Sequence, residues 1–368
     1  MADWPDGIDM EALLAPIPGE RPAGVDLRED FSPQSPYYRL RDARAEARAA
    51  ERAADANPAE DQPLPPQWRN VRDLSLAVLA DKTKDLEIAA WLTESLVRSD
   101  GLRGLACGAH LLAGLTEAFW DNNLYPTPDE DGIATRVAPV SGLNGEGGGG
   151  TLVQPLRKLP LFARPDGSML AFWQYEQSEE LKAEANAARV KQRLAAGVLP
   201  LDVVENEARA AGQARFTALR AAGRAAAREW QRMSEAFDAR AGMDGPPTSH
   251  VRDLVDKIVA TVARYAPAET KAEMVEAADP VSAGAEAGPV ASAAPRGPMV
   301  TREDMLRELS RIADYFKKME PQSPIAYTLE EAVRRGRLTW PELLSEVIAD
   351  AKARDSVLIQ LGIRPPPE

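Results

Sequence analysis

The sequence predicts a mainly α protein: helical bundle domains carrying one β-hairpin, then a flexible linker and a small helical C-terminal domain whose size points to oligomerisation. Three observations predict it. Apolar residues make up 44% of the 368-residue chain but aromatics only 6%, and alanine, the best helix former, fills much of the difference. A coding bias toward Ala and Arg would give the same richness, so composition alone does not decide. Large apolar residues also recur at helical spacing through 68–120 and again through 216–237. Finally, one turn sequence, Arg164-Pro165-Asp166-Gly167, separates two short apolar runs.

The chain opens with a short helix around Leu13 and Leu14, followed by the turn-rich Pro16-Ile17-Pro18-Gly19 and Arg21-Pro22-Ala23-Gly24. Tyr37 to Ala56 alternates Arg, Glu, Asp and Ala, the pattern of a solvated helix laced by pairs such as Glu51 and Asp55 with Arg48 and Arg52. Arg39, Arg41, Arg44 and Arg48 form a plain exposed face there, or a contact for an acidic partner. Pro58 to Pro66 reads as a loop. From Trp68 the pattern tightens: Val71, Leu74, Val78 and Leu79 define one helix, and Ile88, Trp91, Leu92 and Leu96 the next. Gly101 and Gly104 mark a break. Leu105, Leu111, Leu112, Leu115, Phe119 and Trp120 then surround most of a third helix, which should lie centrally in an antiparallel bundle.

Residues 129–175 differ. Glu146 sits among five glycines in 145–150, a flexible segment, and Leu159–Ala163 with Ser168–Trp173 make a β-hairpin packed on the bundle. Helix returns from Glu176 to about Arg240. Phe216, Leu219, Gly223, Ala226, Trp230, Met233 and Phe237 form an a/d seam, closing either within the chain against 176–197 or between chains. A further helix spans roughly Ser249 to Tyr265. Residues 267–300 hold ten alanines and almost no large apolar side chains, too little to offset ordering entropy, and read as a linker. Beyond it, Thr301 with Asp304 and Thr339 with Glu342 resemble capping boxes, and Ser323 precedes a helix opening at Pro324. The expected domains are therefore 1–140, 141–266, the linker 267–300, and 301–368.

Charge and composition exclude several functions. A net charge of −13 argues against a general phosphate-backbone binder. Cys107 is the sole cysteine and His110 and His250 the sole histidines, which rules out an internal disulfide and makes a Cys/His zinc cage untenable. The N-terminus carries no secretory pattern, and Leu102–Trp120 is broken by Arg103, His110 and Glu117, so a cytoplasmic chain with no membrane insertion is expected. Cys107 and His110, three residues apart in the most apolar helix, read as a buried structural pair rather than an activated thiol. His250 reads as part of a helix start. The glycine run lacks the Lys-Ser/Thr of a phosphate loop, and Asp129-Glu130-Asp131 reads as solvated loop. No catalytic, cofactor or metal site is expected. A hydrolase would need carboxylates that converge only in space, and it stands as the alternative beside a generic helical adaptor.

The residues from Leu14 to Arg136 resemble the ImpA N-terminal domain of TssA subunits of bacterial type VI secretion systems. The match runs through Leu14-Ala15-Pro16-Ile17, Pro22-Ala23-Gly24-Val25-Asp26-Leu27, Trp68 and Thr83-Lys84-Asp85-Leu86-Glu87. It continues through Gly101-Leu102-Arg103-Gly104-Leu105, Trp120, Leu124-Tyr125-Pro126 and Arg136. A second set, including Tyr315-Phe316 and Glu320-Pro321-Gln322-Ser323-Pro324-Ile325, looks like the terminal domain of the shorter, ImpA-like members. The resemblance implies a non-enzymatic assembly component, forming ring-like homo-oligomers through its C-terminal domain and meeting baseplate, sheath and inner-tube proteins. It also implies a cytoplasmic place, peripheral to the inner membrane through the baseplate. Trp68, Trp91 and Trp120 are expected in the bundle core, and Asp85 as a helix N-cap or, more sharply, a partner contact. Glu320, Pro321, Ser323, Pro324 and Ile325 form a helix-turn-helix corner that in a ring would face the neighbouring subunit.

Overall fold

The computed structural model describes residues 4–32, 34–56, 65–145, 149–267, 313, 317, 324–338 and 346. The chain divides into two compact units, within 1–280 and 281–368. The first runs α1 (Met10–Leu14), α2 (Pro36–Ala56), α3 (Gln67–Asp81), α4 (Leu86–Phe119), α5 (Ile133–Asn144) and α6 (Val153–Arg157). The strands β1 (Pro160–Ala163) and β2 (Met169–Ala171) follow, then α7 (Phe172–Ala183), α8 (Ala187–Ala195), α9 (Leu201–Ala210), α10 (Gln213–Ala241) and α11 (Ser249–Ala263). The fold is mainly helical with one small hairpin, as composition and periodicity predict.

The centre is α4, buried along almost its whole length because apolar residues surround it. It is not straight. Gly101 takes φ 57° and ψ −126°, a conformation glycine adopts readily, and the chain doubles back there. A Cβ on Gly104 would lie 2.0 Å from the Leu96 carbonyl oxygen, and one on Gly108 would lie 2.4 Å from Thr93 Oγ1. Facing residues thus move apart in sequence on either side of the Gly101 break, so the two halves form an antiparallel hairpin closed at glycines. Trp68, Trp91 and Trp120 all sit in the core around it.

The seam of α10 closes within the chain, but against α4 and α11 instead of 176–197. Phe216, Gly223, Ala226, Trp230, Met233 and Phe237 are buried, and Leu219 half-buried. A Cβ on Gly223 would lie 2.6 Å from Val259 Cγ2 of α11, and Phe237 meets the Trp120 ring edge-on at 6.2 Å between centroids. Residues 176–197 cannot serve as the partner because they are not one helix. Asn186 starts α8 afresh, accepting from the Ala188 and Arg189 amides, and α8 buries none of its residues.

Two other expectations change. The glycine-rich segment 145–150 is flanked by two helices not expected there, α5 and α6, held by buried Val137, Val140, Leu143 and Leu156; Glu146 lies outside the described residues. Asn144 of α5 also supplies the cap that His250 does not: its Oδ1 accepts from the Val251 amide at 2.9 Å, while His250 is exposed. The second change concerns α2. Leu40 and Ala47 are buried, and three of its charged side chains reach across to other elements. Arg44 meets Glu94 at 2.7 Å, Glu51 meets Arg98 at 2.9 Å, and Asp55 pairs with Lys158.

The hairpin turns as its sequence dictates. Gly167 has φ 86°, Asp166 Oδ1 accepts from the Ser168 amide, and Arg164 N donates to the Ser168 carbonyl at 2.8 Å. Phe162 and Leu170 pair across the strands and are buried, with Phe162 against Phe216 of α10. After α11, Tyr265 stacks on Phe216 and bonds to the Tyr175 hydroxyl at 2.8 Å. Buried Arg220 donates to the Pro267 carbonyl at 2.7 Å.

In the second unit, α12 (Pro324–Arg337) begins at a proline, whose missing amide is harmless at the first helical position. Ala326 and Val333 are buried, while Ile325 and Tyr327 are exposed. Arg334 bridges Glu331 and Glu346, and its hydrogen bonds hold the Glu331 carboxyl down to about 2. The expected caps Thr301/Asp304 and Thr339/Glu342, the loop 57–64 and the linker after Pro267 lie outside the described residues. Among the described residues, no helix is long and apolar enough to cross a membrane.

Candidate functional site

Sequence pieces separated by about a hundred residues meet at the joint between α3 and α4. Residues 83–85 run extended between two other segments. On one side Lys84 N donates to the Ala23 carbonyl at 2.8 Å and Val25 N to the Lys82 carbonyl at 3.1 Å. On the other side Tyr125 N donates to the Lys84 carbonyl at 3.0 Å and Leu86 N to the Tyr125 carbonyl at 2.8 Å. Gly24 is required there: its φ is +75°, and a Cβ would lie 2.0 Å from the Lys82 carbonyl oxygen.

Asp85 is an N-cap. Its Oδ1 accepts from the Glu87 amide at 2.8 Å and the Ile88 amide at 3.2 Å, satisfying two orphan donors of α4. The side chain is wholly buried, and its other oxygen accepts from Arg28 Nη1 at 2.7 Å. Arg28 also meets Glu87 at 2.6 Å and Asp26 at 3.0 Å, and lies 4.9 Å from the centre of the Tyr37 ring. The Tyr37 hydroxyl donates to Glu87 at 3.0 Å; burial, then the Glu87 charge, pushes that phenol up to about 12. Arg28 and Glu87 keep about a quarter of their side-chain surface exposed, so the joint shows the surface an arginine and a glutamate locked from beneath.

Lys84 points the opposite way and is fully buried. Its ammonium donates to the carbonyls of Leu13 and Leu79, both at 2.8 Å, which lie in the last turns of α1 and α3. One cation thus closes two helix C-termini, where positive charge is favoured. Burial draws its pKa down to about 8. With no exposed surface, the amine is out of reach of a substrate.

Arg136 extends the same construction. It donates to the carbonyls of Trp120 and Pro126 at 3.0 and 3.1 Å and lies over the Trp120 ring at 4.8 Å. Arg98 lies over Trp68 at 4.0 Å and Arg44 over Trp91 at 5.5 Å, so each expected core tryptophan carries an arginine on its face. Sequence reasoning found Asp85 but not Arg28 or Lys84; the signal was Lys84's place beside Asp85 in the matched segment Thr83–Glu87 and Arg28's place directly after the matched Asp26-Leu27.

The remaining candidates are dispersed. Cys107 is buried, which pushes its thiol up to about 12, whereas His110 is half-buried against Trp4, with 4.8 Å between ring centroids. The His110 Nδ1 contacts Glu229 of α10 at 2.8 Å and Arg232 at 3.0 Å, so Cys107 and His110 do not form the buried pair expected of them. Pro324 and Ile325 open α12, with Ile325 exposed; Glu320, Pro321 and Ser323 lie outside the described residues. Among the described residues, no group of three or more His, Cys, Asp or Glu is placed to hold a metal ion.

Residues 14–145, which contain Gly24, Arg28, Lys84, Asp85 and Tyr125 of the joint, match the family model described as ImpA, N-terminal, type VI secretion system. Over 357 residues the chain is 31% identical to type VI secretion system component TssA1 of Pseudomonas aeruginosa, covering 93% of this chain and 96% of that protein. A solved structure is also similar: the N-terminal domain, with its ImpA_N region, of the type VI secretion TssA component from Burkholderia cenocepacia. It is 27% identical with a TM-score of 0.57, covering 71% of this chain and 96% of that one.

Proposed function

The chain belongs to the TssA family of type VI secretion system components, and from that premise we propose that it is a non-enzymatic assembly subunit of that apparatus, acting at the baseplate and in tube and sheath assembly. One observation carries the reading: the similarity to TssA1 runs nearly end to end, so N-terminal domain and C-terminal part are matched together. The self-satisfied joint around Asp85 suits a part that holds shape rather than one that turns over substrate.

In this reading the residues from 301 onward drive homo-oligomerisation, 267–300 connect them to the N-terminal body, and the protein works in the cytoplasm. The corner from Glu320 to Ile325 faces the neighbouring subunit, and Ile325 and Tyr327 supply apolar surface for that contact. Asp85 serves recognition indirectly, by fixing Arg28 and Glu87 at the surface. Co-purification from a native extract tests the whole: baseplate, sheath or inner-tube proteins are expected with the tagged chain. Recovery of none of them, under conditions that preserve the apparatus, would reject it. Light scattering tests the oligomer separately, and a monomer at micromolar concentrations would reject that part.

A further inference from the structure

Spacing along α2 predicts that Glu51 and Asp55 neutralise Arg48 and Arg52, but the fold draws both acids away. Glu51 accepts from Arg98 Nε and Nη2, both at 2.9 Å, and Asp55 pairs with Lys158. Two neighbouring arginines are engaged as well: Arg44 by buried Glu94 at 2.7 Å, and Arg41 by Asp42 at 3.4 Å and over the Tyr38 ring at 4.8 Å. Arg48 and Arg52 remain, one turn apart, with no ion pair, hydrogen bond or ring contact among the described residues. Glu46 is exposed on another side, about 120–160° round the helix from them, and does not pair with either. Ala45, Arg48, Ala49 and Arg52 stand at i, i+3, i+4 and i+7, the four corners that receive a side chain from a facing helix. Ala45, Ala49 and Arg52 are exposed and Arg48 half-buried, so the hole faces outward while Leu40 and Ala47 turn to the core.

We propose that the outer face of α2 docks an acidic helix of a different protein, one small side chain seated among Ala45, Arg48, Ala49 and Arg52 and carboxylates beside it bound by the two arginines. Like charges one turn apart repel, and the acids that would relieve them from within the chain are committed elsewhere. Carboxylates from outside relieve that repulsion, and a planar guanidinium holds each through two hydrogen bonds. The alanine corners let another backbone come close, which suits a helix. A phosphate backbone fits less well: the chain carries −13, and exposed Asp42 and Glu46 on the adjoining face would repel a run of phosphates. A helix can set a neutral or basic residue there. The inference stands on α2 itself and does not depend on the assembly role.

Arg48→Lys with Arg52→Lys keeps the charge and supplies amines, which carbodiimide fuses to carboxylates ion-paired with them. The full tagged chain with both changes is treated with carbodiimide in an extract of its native cell, and the links are mapped by mass spectrometry. Links from positions 48 and 52 should reach Asp or Glu residues three or four apart in a helix of one other protein. That protein should co-purify with the parent and be retained by the lysine pair. Its recovery should fall about tenfold with Arg48→Glu plus Arg52→Glu, at unchanged circular dichroism. The proposal is overturned if positions 48 and 52 link only to this chain's own carboxylates, Glu46, Glu60 and Asp61 included, or to a second copy of it. It is also overturned if they yield no link, or if the glutamate pair recovers the linked protein as well as the parent does.

Discussion

Replacing Asp85 with alanine removes a cap and half of an ion pair in one step, and the two losses can be separated. The cap bonds to the Glu87 and Ile88 amides, at 2.8 and 3.2 Å, are worth about 1 kcal/mol. Breaking a buried ion pair from one side costs about 3–5 kcal/mol when the surviving charge is stranded. Here Arg28 keeps Glu87 at 2.6 Å and Asp26 at 3.0 Å, so the charge is not stranded and about 2 kcal/mol is the reasonable figure. The expected loss for Asp85→Ala is therefore about 3 kcal/mol. Asp85→Asn keeps an oxygen for the two amides and surrenders only the charge, so it should lose about 2 kcal/mol. Urea unfolding of the full chain, followed by tryptophan fluorescence, measures both. At an m-value of about 3 kcal/mol/M the alanine midpoint should fall by about 1 M. An alanine variant within about 0.5 kcal/mol of the parent would refute the joint as a stability element, and equal losses for the two variants would refute the capping role.

Three further outcomes follow from the same region and the core beneath it. Gly24→Ala combines a left-handed φ with a methyl driven into the Lys82 carbonyl, and should lose about 3 kcal/mol in the same urea experiment. Lys84 has a folded pKa near 8, below its unfolded value, so between those values the unfolded chain binds more protons and stability rises with pH. Measured against Lys84→Met, the parent should gain about 2 kcal/mol from pH 7 to pH 9.5; a flat difference would mean the ammonium is not desolvated. Cys107, the only cysteine, should label with iodoacetamide at pH 8 about 1,000-fold more slowly in the native chain than in urea, because burial raises the thiol to about 12. Rapid native labelling would show that the α4 core opens.

How much of this was legible in the sequence depended on where each signal resides. The seam from Phe216 to Phe237, the Gly101 break and the Arg164–Gly167 turn are local patterns, and all three appear in the fold. Helix α5 was hidden because Pro139 lies inside it and a glycine run follows, both of which argue for loop; burial of Val137, Val140 and Leu143 overrides that propensity. The buried edge of α2 was hidden for the opposite reason. Ala47 is too small to register as an apolar anchor, and its neighbours are charged. The joint itself was half visible. A buried aspartate before an apolar helix reads as a cap from sequence alone, but its pairing with Arg28, 57 residues earlier, is a product of topology. Nothing in local spacing encodes that Lys84 closes two helices at once.

The closing residues of the first unit define a load path. Tyr265 is stacked on α10 and bonded to α7, Arg264 is tied to Glu179 of α7, and the Pro267 carbonyl is held by buried Arg220. A pull transmitted from beyond Pro267 therefore does not begin by unravelling α11 one turn at a time. It enters two other helices together, so that several bonds must give at once before any element peels away. A chain anchored in this manner shares such a load among α7, α10 and α11.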